Sequence, residues 1–455
     1  MNDRARSGRS AKLTAVRRRP AVLIVGGFGA LTGTGTALLM LPGAAAGDES
    51  ADFMTALFTS VSAVCVTGLY VVDTPMYWSV FGQVVVLCLM QLGGLGIMTM
   101  ASVLSLLVLR RFGLRMQLTA QAETKTLGLG EVRRVLGLIV LVTALFESVV
   151  MLALTARLFA GYDRPLGRAA YEGAFYAVSA FNNGGFVLHS DNMMGFVADP
   201  WFCLPIIFAV IAGGLGFPVL LELGRRLRVP RRWSLHTKIT VAGTAVLLVC
   251  GCGAITVAEW TNPATLGPLS PQTKLLAGFF AAVMPRSAGF NTVDIGSMYP
   301  ATLLVQDVLM FIGGGSAGTA GGIKITTFAL LAFVIHAEIR GEPTVHVMGR
   351  RLPEGVQRQA LTIALLGVAL VMTCTLVLLV ITPFGLDQVL FEVVSAFATV
   401  GLSTGITPDI GVAGQALLVA LMFIGRLGPI TLASALALRE RPRRYELPEE
   451  RPIVG

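Results

Sequence analysis

Four short stretches of the chain share one register: Cys65-Val66-Thr67-Gly68-Leu69, Asn182-Asn183-Gly184-Gly185-Phe186, Arg286-Ser287-Ala288-Gly289-Phe290 and Ala398-Thr399-Val400-Gly401-Leu402. Each ends in glycine followed by Leu or Phe, and ten residues before each glycine stands a phenylalanine: Phe58, Phe175, Phe279 and Phe391. In three of the four, a Ser-Ala pair follows that phenylalanine four residues on. A second glycine cluster comes downstream at a similar offset: Gly93 lies 25 residues after Gly68, Gly213 28 after Gly185, Gly313 24 after Gly289 and Gly425 24 after Gly401. A helix cap or close packing would explain any one of these glycines. Four copies of a unit of roughly a hundred residues instead predict a fold repeated four times about one axis.

The solvent of that fold follows from composition. Apolar residues make up 54% of the chain, charged residues 13%, and the mean hydropathy is +0.75, far from the quarter or so of charged residues usual in soluble domains. The chain reads as a polytopic membrane protein with no stretch long enough for a separate soluble domain. Its net charge of +9 falls in short clusters between apolar runs, as in the cytoplasmic loops of membrane proteins, so nucleic-acid binding is not expected. The six cysteines lie in or beside apolar stretches and do not read as a disulfide framework. Cys250-Gly251-Cys252, without nearby His or acidic residues, reads as packing rather than a metal site.

A basic tail (1–20) precedes the apolar run Ala21 to Leu41. That start has a signal-peptide look, but the run is near the length needed to span and the repeat needs a leading helix, so a retained span is expected. The four units are bounded at 21–110, 133–223, 236–340 and 357–440, followed by a tail (441–455). In each, one apolar run spans, a segment too short to cross a bilayer re-enters, and a second run spans back. The re-entrant segments are Phe53 to Ser62, Tyr171 to Phe181, Lys274 to Met284 and Gln388 to Phe397; the returning spans include Val80 to Leu109, Trp201 to Leu221, Ala301 to Ile339 and Val412 to Leu438. The expected fold is therefore all-α, with eight spanning and four re-entrant helices in pseudo-fourfold arrangement around one pore. Basic clusters at both ends and after every second span, including Lys125 and Arg439 to Arg444, put both termini in the cytoplasm. The re-entrant segments then face outward, where Asp48 and Asp73 lie.

Backbone away from regular helix is tolerated at membrane depth only when buried in protein or lining a watery path. Four such segments imply a lined path, and a short helix ending there aims the negative end of its dipole at it, which favours a cation. Glycine lets successive carbonyl oxygens turn toward the axis and replace an ion's water. The flanking Val66, Asn183, Ser287 and Thr399 are unlike one another, so the shared chemistry is that of the backbone. No motif contains Asp or Glu, which favours a monovalent cation over calcium or magnesium.

These motifs, with Gln91-Leu92-Gly93-Gly94-Leu95-Gly96, Gly213-Gly214-Leu215-Gly216 and Gly425-Arg426-Leu427-Gly428, resemble the superfamily of Trk, Ktr and HKT potassium transporters. The likeness covers nearly the whole chain. With only the basic tail ahead of the first repeat, it is most similar to the Ktr-type membrane subunit; Trk-type subunits typically carry a further pair of spans. The resemblance implies a selectivity filter of Cys65, Val66, Thr67, Gly68, Asn182, Asn183, Gly184, Gly185, Arg286, Ser287, Ala288, Gly289, Ala398, Thr399, Val400 and Gly401, with potassium held by backbone carbonyls at Gly68, Gly185, Gly289 and Gly401. Four glycines resemble potassium-selective members, whereas the sodium-permeable plant class carries Ser at the first. Gly184 stands where Ala is common, so strict selectivity is left open.

One continuous helix from Ala301 to Ile339 would be roughly 58 Å long, about twice the hydrocarbon core. A break is expected at Gly313, Gly314, Gly315, Ser316, Ala317, Gly318, Thr319, Ala320, Gly321 and Gly322. In the resembling family this segment is an intramembrane gate that Arg426 would face, and an intramembrane Arg is functional by default. Arg426 either bonds loop carbonyls in the closed state or sets a barrier to the ion; for Lys324 a gating role and snorkelling to the surface are both open. Gly313, Gly315 and Gly318 formally fit G-x-G-x-x-G, so a dinucleotide-binding membrane enzyme is the remote rival. That fingerprint needs a strand and helix in a soluble βαβ unit, and apolar span lies on both sides. The sequence otherwise shows no catalytic constellation. The resemblance implies potassium uptake across the plasma membrane by a homodimer among lipids, docked on a cytosolic nucleotide-binding ring. No covalent cofactor is expected; sodium assistance or symport, and a Trk-like or less selective potassium/sodium channel, stay open.

Overall fold

Each glycine motif is delivered by a short helix that follows a longer one. The computed structural model describes residues 20–47, 49–117 and 129–438. The first copy runs α1 (Pro20–Leu39), α2 (Phe53–Val64), α3 (Val80–Gln117), and the second α4 (Leu129–Gly161), α5 (Leu166–Asn182), α6 (Pro200–Leu215). After α7 (Phe217–Arg226), the third copy runs α8 (Leu235–Glu259), α9 (Pro271–Val283), α10 (Pro300–Phe311). After α11 (Ile325–Ile339), the fourth runs α12 (Glu354–Ile381), α13 (Leu386–Phe397), α14 (Gly411–Leu438). The amino-terminal basic residues, Asp48, Lys125 and the cluster Arg439 to Arg444 lie outside the described residues.

Local chemistry sets the helix starts. Asp52 accepts from Met54 N at the head of α2, Asp199 from Trp201 N at α6, and Ser270 from Thr273 N at α9. Pro200, Pro271 and Pro300 take the first helical position, where a missing N–H costs nothing. The short helices α2, α5, α9 and α13 form the core, and Phe58, Phe175 and Phe391 are fully buried. Phe279 is only half-buried, and its neighbour Phe280 fills the interior instead.

The four copies close into a ring. Within each, the leading long helix packs on its own short helix: α1 on α2, α4 on α5, α8 on α9, α12 on α13. Between copies, α3 packs on α5, α6 on α9 and α10 on α13, and α14 returns to α2. The downstream glycine clusters make this closeness possible. A Cβ on Gly93, Gly213 or Gly425 would run into the backbone carbonyl of Val64, Phe181 or Phe397, at the end of the short helix of the same copy.

Among the described residues, α3, α4, α8, α12 and α14 each contain a single stretch long and apolar enough to cross a membrane. The other expected returns are not continuous. The third is divided into α10 and α11 by the loop at 313–322, as the length argument required. The second, expected as one helix from Trp201 to Leu221, instead bends by 104° between α6 and α7. The loop of the third copy causes that bend: Gly216 takes φ +92°, and a Cβ there would lie 3.1 Å from Gly318 N. The last carbonyls of α6 are taken by the same loop, Gly213 O accepting from Thr319 N at 3.1 Å and Gly214 O from Gly315 N at 2.7 Å. The loop thus completes hydrogen bonds that a helix end leaves open.

Candidate ion-conducting site

In all four motifs the residue two before the glycine has a left-handed backbone: Val66 (φ 54°), Asn183 (60°), Ser287 (88°) and Thr399 (49°). The glycines themselves are at φ 92°, 68°, 69° and 92°, whereas Thr67, Gly184, Ala288 and Val400 between them are not left-handed. For β-branched Val66 and Thr399 this conformation is strained and persists only where surrounding structure enforces it. Alternating handedness sets successive carbonyls on one side of the strand. This is the geometry the sequence argument asked of the glycines, extended to a second residue type that sequence gave no reason to expect there.

The segments meet in cyclic order. A Cβ on Gly68 would stand 2.6 Å from Gly184 O, one on Gly185 3.1 Å from Ala288 O, and one on Gly289 2.8 Å from Val400 O; one on Gly401 would collide with Thr67 O. Each glycine thus gives room to a carbonyl of the next copy, and the fourth returns to the first.

The Ser-Ala pairs now acquire a role. Ser62 Oγ donates to Leu69 O (2.7 Å) and accepts from Gly68 N (3.0 Å). Ser179 Oγ donates to Phe186 O at 2.9 Å, and Ser395 Oγ accepts from Gly401 N at 3.1 Å. The third copy has Val283 at this place and a tight turn over Met284–Arg286 instead. The chain beyond the glycine is also pinned: Glu392 accepts from Ser403, from Thr404 N (3.1 Å) and from Thr407 (2.9 Å). In the second copy Tyr176 Oη takes the hydrogen bond of Leu188 N. Ser395→Ala is expected to leave Gly401 N unpartnered, to cost about 1–3 kcal/mol in stability and to loosen cation selectivity, read by thermal unfolding in detergent alongside flux ratios.

The loop at 313–322 presses directly against these segments. Thr319 Oγ1 donates to Phe181 O at 3.3 Å; Gly321 N donates to Ser287 Oγ at 2.9 Å, and Ser287 Oγ donates to Thr399 O at 2.7 Å. Arg426, 3% exposed, donates through Nη1 to Thr319 O and, at 3.4 Å, to Thr399 Oγ1. Of the two roles left open for Arg426, bonding a loop carbonyl is the one this arrangement displays. Lys324 does not snorkel; its Nζ donates to Ala320 O within the loop. Arg286 belongs to the motif by its backbone only, since its side chain turns toward Thr244 on α8. The G-x-G-x-x-G fit places its glycines between two apolar helices, without the βαβ unit a dinucleotide needs.

The sequence profile of the TrkH family, described as cation transport protein, matches residues 9–443. The chain belongs to this family. Within it, the chain is 38% identical over 422 residues to the Ktr system potassium uptake protein B of Bacillus subtilis, covering 93% of this chain and 94% of that one. It is 38% identical over 409 residues to the protein of the same name from Vibrio alginolyticus, 88% of each. It is 33% identical over 450 residues to the potassium/sodium uptake protein NtpJ of Enterococcus hirae, covering 97% and 98%. The likeness to Ktr-type subunits is therefore borne out, and membership of a transport family sets the enzyme rival aside. In fold the chain is similar to the crystal structure of the potassium transporter TrkH from Vibrio parahaemolyticus, with a TM-score of 0.71 at 16% identity over 90% of this chain and 83% of that one.

Asn182, three residues before Gly185, reveals a feature outside the sequence reading. Its Nδ2 donates to Gln91 Oε1 on α3 at 2.7 Å and to Glu147 Oε1 on α4 at 3.0 Å, and Gln91 Nε2 donates to Glu147 Oε2 at 3.1 Å. Gln91 was legible only as part of a glycine-rich motif. Glu147 is one carboxyl in an apolar run, and nothing in its spacing ties it to Asn182.

Proposed function

We propose that this chain is the ion-translocating subunit of a potassium uptake system in the plasma membrane, with a filter at Cys65 to Gly68, Asn182 to Gly185, Arg286 to Gly289 and Ala398 to Gly401. The observation that carries the reading is the cyclic closure of four left-handed segments, in which each glycine makes room for a neighbour's carbonyl. Such a ring of backbone oxygens replaces the hydration of a monovalent cation without a carboxylate. The names of the relatives from Bacillus subtilis and Vibrio alginolyticus supply potassium as the ion. The segment Gly313 to Gly322, with Lys324 and Arg426, is the gate, which its hydrogen bonds to the third and fourth filter segments and to Phe181, just before the second, support. The units 21–110, 133–223, 236–340 and 357–440 are the repeats. Both termini face the cytoplasm, and a homodimer sits on a cytosolic nucleotide-binding ring; the exposed Arg225–Arg232 loop and the Arg350–Arg351 hairpin offer basic faces for it.

The test is cation flux into liposomes holding the purified chain, comparing potassium, rubidium and sodium. Potassium and rubidium flux well above sodium is the expected outcome, and equal flux of all three overturns a selective filter. The second reading, a less selective potassium/sodium pathway with or without sodium coupling, is favoured by the extra glycine at Gly184 and by the name of the Enterococcus hirae relative. It predicts that equal outcome.

A further inference from the structure

We propose that Glu147 is a fixed negative charge that sets the pore's affinity for its cation, held in place by Gln91 and Asn182; this rests on the reading of residues 182–185 as a filter segment. Both oxygens of the Glu147 carboxylate accept hydrogen bonds from amide nitrogens, Oε1 from Asn182 and Oε2 from Gln91. An ionised carboxylate accepts at both oxygens, and the two amide donors match that form. The carboxylate lies in the middle of α4, within a stretch of 29 residues apolar enough to span a membrane. Ionised groups there are costly and are matched by a counter-charge. Among the described residues no Lys, Arg or His forms an ion pair with Glu147.

The uncompensated charge is tied directly to Asn182, the residue that opens the second filter segment. The geometry makes that tie rigid. Asn182 is fully buried, its Nδ2 also reaches Val178 O at 3.0 Å, and a Cβ on Gly94 would collide with its Oδ1. Gly94 therefore lets α3 come close enough for Gln91 to complete the triad. The counter-charge that this half-buried carboxylate needs is supplied by the ion in the pore, and the field of Glu147 favours a cation there. The other three segments have no such partner: Cys65, Arg286 and Ala398 stand where Asn182 does. Glu147 is thus a positioning residue that acts through the field and through Asn182, without touching the ion.

The test measures half-saturation and maximal rate of potassium flux separately, with potassium binding to the purified full chain by calorimetry as a second readout. Glu147→Gln keeps the shape and polar character but removes the charge. Gln91→Lys leaves Glu147 in place and neutralises it with a neighbouring ammonium. Each is expected to raise the half-saturating potassium concentration about tenfold, the loss of about 1.4 kcal/mol of attraction for the cation, with a much smaller change in maximal rate. The exchange Gln91→Glu with Glu147→Gln moves the carboxylate across the triad and is expected to restore affinity. If either single variant folds and keeps wild-type half-saturation and binding, the proposal is overturned. Equal loss of maximal rate in both variants and in the exchange also overturns it, because that is the signature of packing alone. A wild-type chain that neither conducts nor binds potassium would instead remove the filter reading on which the inference stands.

Discussion

Gly68→Ser is expected to lower the potassium-to-sodium flux ratio at least tenfold in liposomes holding the purified chain. The new Cβ would lie 2.6 Å from Gly184 O and 2.8 Å from Gly185 Cα, closer than real side-chain carbons come, and the obstacle is backbone rather than the end of a flexible side chain. The φ of +92° at Gly68 adds strain of about 1–3 kcal/mol for any residue with a side chain. Part of it is relieved by displacing the second segment, and with it the carbonyl of Gly184. A cage that fits potassium by number and placement of oxygens loses that fit when one oxygen moves, and about 1.4 kcal/mol of lost discrimination is a factor of ten. Gly33→Ser is the control, since nothing lies within 4 Å of its Cβ position and selectivity should not change. An unaltered ratio for Gly68→Ser would mean that Gly68 does not shape the conducting ring. Gly401→Ser, whose Cβ would sit on Thr67 O, is the more severe form of the same change.

What sequence could and could not show follows from how local each cause is. The four short helices were legible because phenylalanine, serine and glycine sit at fixed offsets within one segment of about twenty residues. The third copy already looked different, with Val283 in place of serine, and in the structure it turns differently and leaves Phe279 half-buried. The break at 313–322 was legible from length and glycine content alone. The bend at Gly216 was not, because its cause lies about a hundred residues downstream, where Ser316 to Gly318 occupy the space a straight α6 would take. The left-handed backbone at Val66 and Thr399 was hidden for a related reason. Nothing in a β-branched residue announces that conformation; it is imposed by the hydrogen bonds of Ser62 and Ser395 and by the neighbouring segments.

Arg426→Gln is expected to raise rubidium flux about tenfold or more in the absence of any partner. Arg426 is buried; one guanidinium nitrogen holds Thr319 O of the loop, while Nε and Nη2 have no partner. Hydrogen bonds to charged groups contribute about 1.5–3 kcal/mol, so losing this one shifts the loop toward release by roughly 10- to 100-fold. Removing a positive charge beside Thr399 also lowers the barrier to an entering cation, so both of the roles considered for Arg426 push flux the same way. Deleting residues 314–320 tests the gate more bluntly and less cleanly. It removes Gly315 N and Thr319 N from the carbonyls of Gly214 and Gly213, so higher flux would mix an opened path with a disturbed α6. The opposite sign is informative for the substitution: lower flux in Arg426→Gln would mean that the guanidinium chiefly supports the filter through Thr399 Oγ1, 3.4 Å away. Thr399→Val, which breaks that bond but leaves the one to Thr319 O, would then lower flux as well. If Arg426 is chiefly the latch, Thr399→Val should leave the loop closed, and only Arg426→Gln should open it.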